Sequence, residues 1–327
     1  MRAGVLAAAL VLPALASPAA AQAQRSFRGW IVGCDNTCSC RSLAAAADLG
    51  PSERPQLVVD RIGPYVAVRL LVPTGQRPGP VVLAVDGRCW TATSGADNPA
   101  IWTGAPALAL ACALVNGRGA TVEAAGWSGP GPSLSGAAAA LLWMDEAQQQ
   151  IGTVAGFARA GARAAAPAHY APAVRPWRGL RTAPAPVTLP AAVRRTRGIA
   201  AADCVVGARN PMDEAHALDA VHTLVLIECG SGAYNRNLTP FVVRRGEAAG
   251  ARPVPGLPDT LTNAGWDAGA GVLEQFNKGR GLADCGIIER RVWTGAAFTR
   301  IGREAMHECR GVAPDWWMSE WRAELRH

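Results

Sequence analysis

The 327-residue sequence predicts an α+β protein, with an N-terminal mixed α/β-sandwich-like domain and a C-terminal, mainly antiparallel β domain, both disulfide-stabilised. Three observations carry this expectation. Short β-branched runs alternate with two alanine-rich helical segments in the first half, whereas strand signals recur at short intervals in the second. A proline-rich stretch without acidic residues separates the two. Nine cysteines are spread over both halves. The length suits two domains of about 150 residues each. A hydrophobic fraction of 50% with 17% charged residues excludes wholesale disorder, which needs the opposite balance.

The first element is a signal sequence over residues 1–23. Met1 and Arg2 form a short positive region, residues 3–15 an apolar one, and residues 19–23 (AAAQA) offer small side chains for cleavage after Ala23 or Ala21. The apolar run falls short of the ~20 residues that a membrane span requires, and no later segment reaches that length. The first cysteine is Cys34, so a lipid anchor at the cleavage site is disfavoured. A soluble periplasmic or secreted protein is expected.

Residues 24–160 make the N-terminal domain. Strands are expected at 30–32, 56–60, 66–72, 81–85, 121–124 and 151–158, where β-branched runs are bounded by Gly and Pro. A helix over 105–115 has Pro106 in its first turn and stops at Asn116-Gly117. A second, over 133–149, opens on a serine cap. Residues 161–202 form a linker rich in Pro, Ala and Arg, semi-rigid through its prolines. It holds seven arginines and no acid, while its flanks are nearly neutral, so the net charge of +7 belongs to the linker. Residues 203–327 make the C-terminal domain, with a short helix near 211–218 and strands at 224–229, 239–244, 271–276, 286–294 and 297–301.

The nine cysteines read as bridges, because an exported chain meets an oxidising compartment. Proximity pairs Cys204 with Cys229 and Cys285 with Cys309. The first half holds an odd set, Cys34, Cys38, Cys40, Cys89 and Cys112, and so keeps at least one thiol. Cys38 and Cys40 stand too close together for an unstrained bridge, so one of them joins Cys34 or Cys89. The cluster lacks a CxxC pair, and no metal or other cofactor is expected. No GxSxG, SxxK or HExxH motif is present to carry catalysis. The neighbouring acids Asp145 and Glu146 close a predicted helix, where solvation is the ordinary role. Around Trp177, the linker arginines Arg175, Arg178, Arg181, Arg194, Arg195 and Arg197 could hold an anionic polymer by counterion release. Outside the cytoplasm that polymer would be lipid head groups, lipopolysaccharide or cell wall, and not chromosomal nucleic acid. Of the 32 basic residues 31 are arginine, so GC-rich coding explains this run equally well.

Several segments carry a resemblance: Trp30-x-Val32-x-Cys34-Asp35-Asn36, residues 133–146 (SLSGAAAALLWMDE), 229–235 (CGSGAYN), 279–286 (GRGLADCG), Trp293-x-Gly295-x-x-Phe298, 309–311 (CRG) and Trp321-Arg322. On these the chain resembles a family of exported proteobacterial proteins catalogued as domain of unknown function eleven seventy-six. The resemblance implies export and a cysteine-bridged fold, and it brings no activity. Residues 57–142 are also similar, more faintly, to the invasion-associated locus B family, which implies an envelope or host-facing role. The polar residues of the shared segments, Asp35, Asn36, Tyr234, Asn235, Arg280 and Asp284, are the candidate ligand-binding set, with turn-stabilising hydrogen bonds as the plainer role. The expected function is non-catalytic binding of an envelope polymer or protein. The alternative is a thiol-redox or hydrolytic enzyme built on the surplus cysteine near residues 34–40.

Overall fold

Strands Trp30–Cys34, Cys40–Ala44 and Gln56–Ile62 are buried at almost every position, the pattern of a sheet covered on both faces. The structure, a computed structural model, describes residues 22–45, 55–71, 78–95, 99–177, 188–204 and 211–326. Most of the expected signal sequence, residues 1–21, lies outside the described residues. So do Arg178 and Arg181.

The three strands belong to a six-stranded antiparallel sheet ordered Gln22–Phe27, Trp30–Cys34, Cys40–Ala44, Gln56–Ile62, Tyr65–Leu71, Ala100–Thr103. Because side chains alternate along a strand, its two faces serve different cores. Trp30, Val32, Leu57, Val59, Val68 and Leu70 face the N-terminal helices and a second, four-stranded antiparallel sheet. Ile31, Leu43 and Val58 face the C-terminal half, where Ile288, Met306, Trp317 and Met318 meet them. The halves therefore share a core.

The C-terminal half adds two more sheets. One runs Gly265–Asp267, Val272–Lys278, Gly286–Trp293, Phe298–Met306, Met318–Arg322 and supplies the shared core. Its other face packs through Trp293 and Phe298 on Leu224, Leu226, Leu238 and Val242 of the next sheet. That sheet is covered in turn by the helix Leu189–Arg197, through Leu189 and Val193.

The α+β prediction is corrected. Among the described residues 43% are strand and 16% helix, with three α-helices against five sheets, and no clear α+β two-domain arrangement results. The two N-terminal helices form as Gly104–Asn116 and Ala137–Ala147. The second is not opened by a serine: its N-cap is Gly136, at φ 106°. A Cβ there would lie 1.8 Å from the Phe27 carbonyl oxygen, so the helix start can meet the first strand this closely only as glycine. Residues 211–218 contain a strand, Glu214–Ala217, instead of a helix. Residues 151–158 form turns, joined to Arg163 by an isolated bridge.

Parts of the stretch read as a linker are built into the fold. Ala173–Val174 pairs in parallel with Glu324–Leu325, and the Trp177 N–H donates to the Trp293 carbonyl at 2.7 Å. Residues 178–187 lie outside the described residues.

Candidate functional site

Where the shared core opens to solvent, the two halves enclose a cleft of about 640 Å³. This lies within the size range of small-ligand sites. One wall comes from Ser39, Arg41, Asp60 and Ile62 of the six-stranded sheet. The other comes from Ile288, Arg290, Ile301, Glu304, Trp317, Ser319, Trp321 and Arg322 of the C-terminal half. The strand period places these side chains: Arg41 and Asp60 alternate with residues that face the N-terminal core, and Arg290 and Glu304 rise from the face that carries Ile288.

The charges of the cleft are tied together. Arg41 holds Asp60 with two bonds, Nε to Oδ1 at 2.7 Å and Nη2 to Oδ2 at 3.2 Å, and Arg69 also bonds Asp60. Arg290 donates to Glu274 and to Glu304, each at 2.7 Å. Burial pushes the Glu304 carboxyl above its ordinary value, with Arg290 pulling the other way. The indole N–H of Trp321 is buried and has no partner among the described residues.

The six candidate ligand residues fall into two groups. Asp35 and Asn36 lie beside the cleft and clasp Arg322. Asn36 donates to the Arg322 carbonyl at 3.1 Å and accepts from its N–H at 2.7 Å, while Asp35 takes the guanidinium. Asp35 also accepts from Thr37 and Ser39, closing the loop between Cys34 and Cys40. Tyr234, Asn235, Arg280 and Asp284 gather around the turn that follows Val272–Lys278. Asn235 donates to the Lys278 carbonyl at 3.0 Å and accepts from its Asn263 neighbour at 2.8 Å. Tyr234 reaches the Gly279 carbonyl at 3.4 Å and stays half-exposed. Asp284 is buried, paired with Arg280 and accepting the Gly311 N–H at 2.7 Å. All six residues therefore make turn or clasp bonds, and Asp35 and Asn36 in addition border the cleft.

The family model described as "Protein of unknown function (DUF1176)" matches residues 24–324. The chain belongs to the DUF1176 family. A relative, the "Uncharacterized protein YpfG" of Escherichia coli (strain K12), is 29% identical over 207 residues, 58% of this chain and 59% of the relative. The chain thus spans about three fifths of the length of the curated relative that it matches. No solved structure matches. The similarity of residues 57–142 to the invasion-associated locus B family is not shown by these comparisons, and it is dropped.

Six cysteines of this DUF1176 chain are bridged, as Cys34–Cys40, Cys204–Cys229 and Cys285–Cys309. Cys38, Cys89 and Cys112 are thiols, so the first half, expected to keep at least one, keeps three. Burial, then the Asp35 charge, pushes the Cys38 thiol up; burial, then Asp145, does the same for Cys112. A thiol held in its protonated form is a poor nucleophile. Limited iodoacetamide labelling of the native protein should modify exposed Cys89 first, with Cys38 slower by about tenfold or more. Peptide mapping reads the order, and faster labelling of Cys38 would favour thiol chemistry at this loop. Asp284, Cys285 and Cys309 lie within 4.8 Å of one another, but both sulfurs are spent in a bridge and offer no thiolate to a metal.

Among the linker arginines, Arg194 is buried, bound bidentately to Asp213 at 2.6 and 2.7 Å and to the Glu228 carbonyl. Arg197 lies over the Phe241 ring, and Arg175 and Arg195 are exposed. The cleft residues Arg41, Asp60, Arg290 and Glu304 escaped the sequence reading. The signal for them was weak but present: charged residues inside otherwise apolar strands, as in residues 56–62 (QLVVDRI) and 286–293 (GIIERRVW).

The Arg280 pair, followed by the Gly311 N–H, holds the Asp284 carboxyl below its ordinary value of about 3.8 against the opposing effect of burial. The folded state then binds this proton more weakly than the unfolded chain does. The stability it lends is complete above that ordinary value and is lost as pH falls through the lowered one. Melting curves at about pH 6 and pH 3 should show a smaller acid-induced drop in Tm for Asp284→Asn than for the parent. An equal drop would remove Asp284 from the acid response.

Proposed function

We propose that this protein is an exported binding protein of the cell envelope, whose ligand seats in the cleft between the two halves and is held without covalent chemistry. The observation that carries this reading is the cleft itself: walls from both halves, several side chains able to donate and accept hydrogen bonds, and a buried indole donor without a partner. The N-terminal sequence and the disulfides support export. Among the described residues no helix is long and apolar enough to cross a membrane.

Thermal melting in the presence of a soluble envelope extract tests the proposal. A ligand that binds only the folded state raises Tm by mass action, about 2.7 kcal/mol at a hundredfold excess over Kd. The parent should gain stability, and Trp321→Phe and Glu304→Gln should lose most of that gain. No gain in the parent, or an equal gain in the variants, refutes the cleft as the site.

A further inference from the structure

We infer that the cleft takes a neutral polyhydroxylated ligand, a glycan segment whose hydroxyls bridge the guanidinium–carboxylate pairs and whose ring packs on Trp321. This deepens the cleft reading proposed above and rests on it. The first argument is charge. Arg41, Arg290 and Arg322 on the lining are matched by Asp60, Glu304 and Asp315, so the lining has no excess of either sign. Each of the three guanidiniums already holds a carboxylate: Arg41 with Asp60, Arg290 with Glu274 and Glu304, Arg322 with Asp35. An anionic polymer would bring its charge up against these carboxylates, which already neutralise the guanidiniums, and so would gain little. It also forfeits the counterion release that drives polyanion binding to open basic surfaces.

The second argument is what such pairs still offer. A guanidinium has five N–H donors and a carboxylate about four lone-pair sites, more than one pairing consumes. A hydroxyl donates and accepts at once, so adjacent hydroxyls on one ring can accept from Arg290 and donate to Glu304 without separating the pair. No charge is uncovered, and the desolvation cost of breaking an ion pair is avoided. Trp321 adds an N–H that awaits an acceptor and an aromatic face suited to the C–H face of a sugar, and Ile62, Ile288 and Ile301 supply apolar contact.

The third argument separates a glycan from a peptide. Extended peptides are captured chiefly by adding a strand to an open sheet edge. The strands Cys40–Ala44, Gln56–Ile62, Gly286–Trp293 and Phe298–Met306 are each hydrogen-bonded on both sides, and on the edge strand Met318–Arg322 the Arg322 N–H and carbonyl are already taken by Asn36. They present side chains to the cleft, and side-chain recognition favours a ligand rich in hydroxyls.

The experiment is a calorimetric and tryptophan-fluorescence titration of the full chain with three neutral oligosaccharides: chitotetraose, maltotetraose and cellotetraose. Polyphosphate and a neutral decapeptide serve as comparators. At least one sugar should bind saturably, with affinity reduced tenfold or more in Trp321→Ala and at least fivefold in Glu304→Gln. Glu123→Ala, on an exposed side chain of the four-stranded sheet, which contributes no residue to the lining, should bind as the parent does. If Trp321→Ala does not fold, Trp321→Phe and Glu304→Gln carry the test. No sugar binding overturns the inference. Trp321-dependent binding of polyphosphate or of the decapeptide alone also overturns it, but leaves the cleft reading standing. If the envelope extract stabilises the parent and Trp321→Phe and Glu304→Gln alike, both readings fall.

Discussion

Replacing Asp145 by alanine should cost about 3–5 kcal/mol of folding stability, because it strands a buried guanidinium. Arg61 and Asp145 are both fully buried and pair at 2.8 Å between the strand Gln56–Ile62 and the helix Ala137–Ala147. The Arg61 guanidinium also donates to Gln148 and to the Ala155 carbonyl, and lies 4.0 Å from the centroid of the Phe157 ring. Asp145 accepts the backbone N–H groups of Phe157 and Ala158. Losing the carboxylate therefore leaves a buried cation without its counter-charge and two amide donors without their acceptor. Burial already lowers the Arg61 pKa, with Asp145 pulling it back up. Denaturant unfolding reads the loss directly. The double replacement Arg61→Met with Asp145→Leu should recover much of it, since a well-packed apolar pair often equals a buried ion pair. A single variant within about 1 kcal/mol of the parent would contradict this account.

Trp317→Ala should be comparably damaging, about 3–5 kcal/mol for deleting a large buried aromatic ring. Trp317 is 1% exposed, stacks edge-on with Phe276 at 5.4 Å and donates its indole N–H to the Val312 carbonyl at 2.9 Å. It stands in the core that Ile31, Leu43 and Val58 share with Ile288, Met306 and Met318. The readout is therefore more than a lower midpoint. In the parent, a shared core should make both halves unfold in one transition. In the variant, calorimetry should show that transition broaden or split, because the ring fills the centre of the core that couples the halves. A single transition shifted down by less than about 1 kcal/mol would mean that the halves are joined elsewhere.

The strands with β-branched runs, such as Gln56–Ile62 and Gly286–Trp293, were legible from local pattern alone. Others were not. Gln22–Phe27 is polar and Arg88–Ser94 mixed, and both are strands because a neighbour supplies the ladder. Glu214–Ala217 has helix-forming residues but pairs with His222–Glu228, a case of tertiary structure overriding propensity. One buried carboxylate accounts for two misreadings. Asp145 was read as solvated and residues 151–158 as a strand, whereas the amides of 157 and 158 bond to Asp145 instead of a ladder. The six polar residues picked from the sequence do mark turns, and two of them border the cleft. The cleft itself could not be read, because its walls come from residues 39–62 and 288–323, which no local pattern relates.

The clasp of Asn36 on Arg322, and of Gln24 on the Ala305 carbonyl, joins residues 286 and 281 positions apart. A chain made from its N-terminus must therefore hold the apolar face of Ile31, Leu43 and Val58 without its native cover until nearly all of the remainder exists. Such long-range pairing gives a high contact order, hence slow folding and a prolonged need for a chaperone. It also makes truncation unforgiving. Removing the strand Met318–Arg322 would trim a sheet edge and, at the same time, leave the earliest-made strands with a sticky surface open to aggregation.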